Sequence, residues 1–256
     1  MQTWEGKETV LKALIQYTKN STYWTTEPKI ADQVEKIVLR ESKRNNPAFR
    51  HHALECLADF VELRREVDMY PQVYTVVNPI IEECLENREE MDVDSKSGGP
   101  SSKAIIESTL ANSAMALLQS ISPSLKSGED LSFEFAQTLE LLNRIRNENG
   151  SRKALDKIYD AEKLLFEKTR EAQPRSLSGS LESVMIEYVE YLFTSTDHVE
   201  QTRIKAAEAA VAMAQMARHG DRIKNVLAQA VATAKATERS ASVQQALDRA
   251  LKLLRE

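Results

Sequence analysis

A basic residue opens a strongly apolar, helix-forming stretch at Lys7, Arg50, Lys103, Arg152 and Arg203, at intervals of 43, 53, 49 and 51 residues. Each interval holds one antiparallel pair of helices with its turns. Self-similarity at this spacing in a helical sequence signals a stack of repeats, because a lone helix pair cannot bury its apolar face and must cover it with the next pair. Such a stack offers surfaces rather than a deep pocket. It favours binding over catalysis from the outset.

Glycine and proline number only 7 each in 256 residues, too few for the turns of a β-rich chain. Charged residues make up 29%, and the 42% of hydrophobic residues recur at helical rather than alternating spacing. The expected fold is therefore all-α: a HEAT-like α-solenoid of about five stacked antiparallel helix pairs, read as one segment over 1–256 and beginning on an unpartnered helix. That first helix, from Gly6 to Asn20, places Val10, Leu11, Leu14, Ile15 and Thr18 on one face. It resembles the second member of a pair, as expected of the closing end of a longer stack.

The pairs follow in order. Ile30–Arg44 is predicted to turn its Ile30, Val34, Ile37 and Val38 inward, and Asn45-Asn46-Pro47 makes the turn, since a pre-proline residue leaves the α region and proline suits the first helical position. The partner helix, Ala48–Val67, carries Ala53, Leu54, Leu57, Phe60 and Val61 as its stripe. Tyr70–Asn87 pairs with Ser101–Ile121, and Pro79 is expected to bend or split the former near Asn78. The stretch 89–102, which ends in Ser-Lys-Ser-Gly-Gly-Pro-Ser-Ser, reads as a flexible surface loop. Leu131–Asn147 pairs with Ser151–Arg170 across Asn149-Gly150, whose residues suit a left-handed helix cap. Ser180–Thr194 pairs with His198–Arg218, Thr194–Asp197 offering N-cap side chains. Arg222–Thr237 and Ser240–Glu256 close the chain. Alanine is abundant from Ala206 onward, which predicts close helix approach.

The recurrent order of turn, basic residue and apolar stripe gives Lys7, Arg50, Lys103, Arg152 and Arg203 a structural role. Each is expected to bond turn carbonyls or carboxylates of a neighbouring repeat. Few residues invite a catalytic reading. No GxGxxG, GxxxxGK[ST], His-Glu-x-x-His or paired CxxC motif occurs, so neither a cofactor nor a metal is expected. His51 and Glu55 stand one turn apart as a surface pair. Cys56 follows His52 by a turn, but its place on the Ala53–Leu57 stripe predicts an inert thiol. Cys56 and Cys84 read as reduced and buried, a disulfide between them being the alternative. Glu82, Glu83, Glu86, Glu187 and Glu190 read as solvated faces. Tyr17, Tyr23 and Trp24 either plug the core or serve as partner anchors. A net charge of −5 without a concentrated basic stripe argues against nucleic acid as partner. No run of about eighteen apolar residues is present, so no membrane insertion is expected.

Three stretches carry a family resemblance: Thr3-Trp4-Glu5-Gly6-Lys7-Glu8 with the following Leu11-Lys-Ala-Leu14; Val38-Leu39-Arg40-Glu41-Ser42-Lys43 leading into Phe49–Asp59; and the terminal Ala246-Leu-Asp-Arg-Ala-Leu251-Lys-Leu-Leu-Arg-Glu. They resemble the C-terminal region of the large HEAT-repeat proteasome adapter and scaffold protein family, in order and over essentially the whole chain. The resemblance implies a non-enzymatic adapter that contacts proteasome regulatory-particle and core-particle subunits, acts in proteasome assembly and quality control, and works in cytoplasm and nucleus. Another HEAT or armadillo scaffold, such as a transport receptor or phosphatase scaffold fragment, fits the period but not these stretches. An all-helical enzyme with an unrecognised site is the alternative from a different class.

Overall fold

The computed structural model describes residues 6–21, 27–86, 102–126, 128–149, 152–172, 179–193, 199–217 and 221–255. Among these residues the regular structure is eleven α-helices and one short 3-10 turn, with no strand. The helices are α1 (Lys7–Asn20), α2 (Pro28–Ser42), α3 (Pro47–Leu63), α4 (Tyr70–Glu86), α5 (Ser102–Ser120), α6 (Gly128–Asn149), α7 (Arg152–Ala172), α8 (Gly179–Leu192), α9 (Glu200–Met216), α10 (Asp221–Thr237) and α11 (Ala241–Arg255). The 89–102 loop and the Thr194–Asp197 caps fall almost wholly outside the described residues. Contacts divide the chain into two compact units, Met1–Ser122 and Pro123–Glu256.

Local chemistry sets the helix starts. Gly6, at φ 84°, occupies a left-handed conformation that a side chain would resist, and it opens α1. Pro28 and Pro47 sit at the first position of α2 and α3, where no backbone donor is lost. Asn46 Oδ1 accepts the Phe49 N–H at 3.0 Å, a side-chain cap on α3. Helix α4 runs unbroken through Pro79, so the expected split does not occur. Val76, Val77, Ile80 and Ile81 around the proline are all buried, and their packing holds the helix together across the missing donor.

In residues 1–122 the helices form two layers, α2 and α4 in one and α1, α3 and α5 in the other. The expected pairs α2/α3 and α4/α5 are present, and α1 lies beside α3 as a second-type helix should. Ala53, Leu54, Leu57, Phe60 and Val61 are all buried, as their periodicity predicted. Burying each leucine or phenylalanine contributes about 1.5–3 kcal/mol. One side-chain bond ties the two layers, Ser42 Oγ donating to Ala53 O at 3.3 Å, and another ties α5 to α3 within a layer, Asn112 Nδ2 donating to His51 O at 2.8 Å. Two expected core residues lie outward. Val10 is 70% and Ile30 42% exposed, because only the Leu11–Ile15–Thr18 and Ala31–Val34–Val38 strips meet a neighbouring helix.

Residues 123–256 repeat the plan, with α6, α8 and α10 in one layer and α7, α9 and α11 in the other. Pairs α6/α7 and α10/α11 form as expected. The fourth pair departs from a simple hairpin: α8 packs chiefly on α6 and α10, and α9 chiefly on α7 and α11. Alanine explains it. Ala206, Ala207, Ala209, Ala210, Ala212 and Ala214 are buried on several sides of α9, and with no bulky side chains to hold them off, α7 and α11 both approach closely.

Candidate binding face

The basic residues at the repeat starts divide by position. Arg50 and Arg203 are each the fourth residue of a helix, α3 and α9. Arg50 is 4% exposed, and its two terminal nitrogens donate to the two Glu83 carboxylate oxygens at 2.8 and 3.0 Å, joining α3 to the first helix of the next pair. Arg203 donates from Nε and Nη2 to Glu238 at 2.7 and 3.1 Å. Glu238 follows α10 and also accepts the Arg239 and Ser240 N–H groups at 2.8 Å. The Arg203 hydrogen bond and these backbone bonds lower its carboxyl to about 2. Glu83, read as part of a solvated face, is thus the acceptor of a buried arginine. Lys7 opens α1 half-exposed, and Lys103 is exposed near the start of α5. The Arg152 side chain lies outside the described residues, as do Tyr23 and Trp24. Tyr17 is 64% exposed on α1 and plugs no core.

The histidine and cysteine pairings differ from their sequence spacing. Glu55 binds Lys12 of α1 at 3.0 Å and approaches His52 at 3.7 Å, whereas His51 Nδ1 lies 3.4 Å from the Pro47 carbonyl. Burial pushes the Cys56 thiol up to about 12 and the Cys84 thiol to about 11, so neither is a thiolate nucleophile at neutral pH. Both are buried and free, which disposes of the disulfide alternative.

A buried ionic cluster joins α6, α7 and α8. Glu162 is fully buried, and its Oε2 accepts the Tyr188 hydroxyl at 2.9 Å. Arg146 Nη1 stands 3.9 Å from Glu162 Oε1, and the guanidinium lies 4.5 Å from the Tyr188 ring centroid. Its Nη2 donates to Asn143 Oδ1 and, at 3.4 Å, to Tyr188 O. Desolvation outweighs the Arg146 charge and raises the Glu162 carboxyl to about 7, while Arg146 stays protonated. The cluster was not foreseen, yet a signal existed. Glu162 interrupts the Ile158–Leu165–Phe166 stripe, and Arg146 sits next to Leu142 and Ile145 on another.

The α7–α9–α11 layer presents an ordered polar face. Thr202 Oγ1 donates to Asp156 at 2.7 Å, Lys205 pairs with Asp160, Lys163 Nζ bonds Glu208 at 3.0 Å, and Arg170 donates to Gln215 at 2.9 Å. These four links join residues 46, 45, 45 and 45 apart, one repeat length, and they set α7 and α9 parallel and in register. Ser240 Oγ donates to Glu200 at 2.7 Å and sets the start of α11 against that of α9. Between α7 and α11 a groove of about 480 Å³ runs along α9. Ile204, Val211, Ala212 and Ala246 contribute its apolar floor; Lys163, Glu167, Gln215, Gln245 and Arg249 stand among its polar walls.

Among the described residues no group of histidine, cysteine and carboxylate side chains is arranged to hold a metal, and no helix is long and apolar enough to cross a membrane. Comparison with curated proteins and with solved structures returns no match. The family described as ECM29, C-terminal ARM-like repeats, matches residues 17–253, nearly the full length. With its two-layered helix stacks and this match, the chain belongs to the family of the ECM29 C-terminal ARM-like repeats.

Proposed function

We propose that this segment is a non-enzymatic scaffold that binds the proteasome, linking or stabilising its regulatory and core particles during assembly and quality control, in cytoplasm and nucleus. The observation that carries the reading is membership of a family of ARM-like repeats that ends the ECM29 scaffold. The register-locked α7–α9–α11 face supports it: a surface held by links one repeat apart keeps its shape without a partner, and preorganisation lowers the ordering cost of association. The test is capture from cell extract on the immobilised, folded chain. Regulatory- and core-particle subunits are expected to be enriched over bead controls. A folded chain that enriches neither overturns the proposal.

A further inference from the structure

The groove over α9 combines three features. Its floor is small and apolar: Val211 is 8% and Ala212 4% exposed, recessed between α7 and α11. Its volume, about 480 Å³, matches the apolar side chains of about two helical turns rather than a whole domain or a lone side chain. Its rims carry opposite, uncommitted charges. Lys163 and Glu208 neutralise each other at 3.0 Å, whereas Glu167 on the α7 side and Arg249 on the α11 side have no ion-pair or hydrogen-bond partner among the described residues. The α7-to-α9 offset of 45 residues places Glu167 beside Ala212. The Ser240–Glu200 link, 40 residues apart, places Arg249 beside the turn after Glu208. A mostly polar trough with a narrow apolar strip along its floor, an acid on one bank and a base on the other, is the complement of an amphipathic helix with a narrow apolar face.

We propose that this groove seats one amphipathic α-helix of a partner protein. Small or medium apolar residues of that helix face Ile204, Val211, Ala212 and Ala246, a lysine or arginine lies beside Glu167, and an aspartate or glutamate lies beside Arg249. Opposite charges on the two banks define which way round the helix lies, since the reversed orientation sets like charges against both rims. This inference rests on the proteasome-adapter reading, and the experiment separates the two. Binding of purified proteasomes to the full chain is measured for wild type, Glu167→Lys, Arg249→Glu and Ala246→Glu, with circular dichroism and melting temperature checking each fold. The two rim reversals are expected to weaken binding roughly tenfold each with unchanged melting, acting mainly on the association rate and its salt dependence. Ala246→Glu, in the floor, is expected to abolish it. Wild type that fails to bind proteasomes defeats the adapter reading. Wild type that binds while all three folded variants bind equally well defeats the groove. If the rim reversals instead change only self-association in sedimentation, the occupant is a second copy and the proposal fails. Crosslinking from Gln215→Cys and Gln245→Cys gives an independent readout. Captured partner positions spaced three and four apart support a helix; spacing of two marks an extended strand and rules the helix out.

Discussion

Residues 1–122 and 123–256 share one plan, two layers of parallel-stacked helices, and reach it with different chemistry. The first unit carries the whole excess of five negative charges, while the second has equal numbers of acidic and basic residues. The first packs its central helix α3 through Leu54, Leu57 and Phe60, all at 0% exposure. The second packs its central helix α9 through alanines and buries a carboxylate, Glu162, at 0% exposure. A large side chain gains more from burial than a methyl group. The alanine-rich layer therefore relies on close backbone approach and on specific polar links that fix register. The lesson is that one repeat geometry tolerates either a generic apolar core or a precise, partly ionic one. The precise one has a surface neat enough to read as a binding face.

The comparison breaks most visibly at the ionic core. Above about pH 7, where Glu162 is ionised, Arg146→Ala should leave it buried without its counter-charge, at a cost of up to about 3–5 kcal/mol. Urea unfolding would register the loss, and hydrogen exchange should localise it to α6, α7 and α8. A mild effect there would mean that the cluster is already hydrated. The generic core is probed by Leu57→Ala, expected to cost about 2–5 kcal/mol, against Ala210→Leu in α9, expected to cost about 1–3 kcal/mol by overpacking. If α9 accepted the leucine without loss, close approach would not be what holds its layer.

The two arginine clamps sharpen the contrast. Arg50→Ala removes a 4%-exposed guanidinium from a bidentate bond and should cost about 1.5–3 kcal/mol. Arg203→Ala should cost less, because Glu238 keeps its bonds from the Arg239 and Ser240 N–H groups. Both should act on melting temperature rather than on proteasome capture. Loss of capture with unchanged melting would make them interface residues.

The smallest effect is a pH slope. Glu162 has a folded carboxyl raised to about 7, above its unfolded value, so the folded chain holds the extra proton between those two limits. Its contribution to stability is then full below the unfolded value and is lost as pH rises through about 7. Melting temperature should fall across that range, and Glu162→Gln should flatten this part of the slope. An unchanged slope in the variant would assign it to other groups.

Much of the architecture was legible in the residues. Every helix was placed within a few positions, because the apolar period, the Asn46-Pro47 turn and the scarcity of glycine all act locally. So did the buried thiols, since Cys56 falls on its helix stripe. Glu83 lies on an exposed face, its side chain 49% exposed, as its position predicts, but its bond to Arg50 is not legible, because the two are 33 residues apart and nothing in either neighbourhood announces it. The Arg146–Glu162 cluster was half legible: each residue interrupts an apolar stripe, but only three helices meeting in space turn two interruptions into a pair. Val10 and Ile30 were assigned to the core because a helix stripe shows which residues are apolar, not how wide the contacting neighbour is.

The sequence by itself determined that this chain folds into paired helices stacked at a regular interval, since helix propensity, turn chemistry and apolar period are short-range properties carried by each segment. Tertiary structure alone decided that α9 docks sideways on α7 and α11 rather than on α8, that Arg50 and Arg203 reach Glu83 and Glu238, and that Glu167 and Arg249 face a common groove. Those outcomes depend on the distances between backbones, which are fixed only when the side chains of one helix, alanine methyl groups in α9 and larger apolar groups in α3, meet the surfaces of its neighbours.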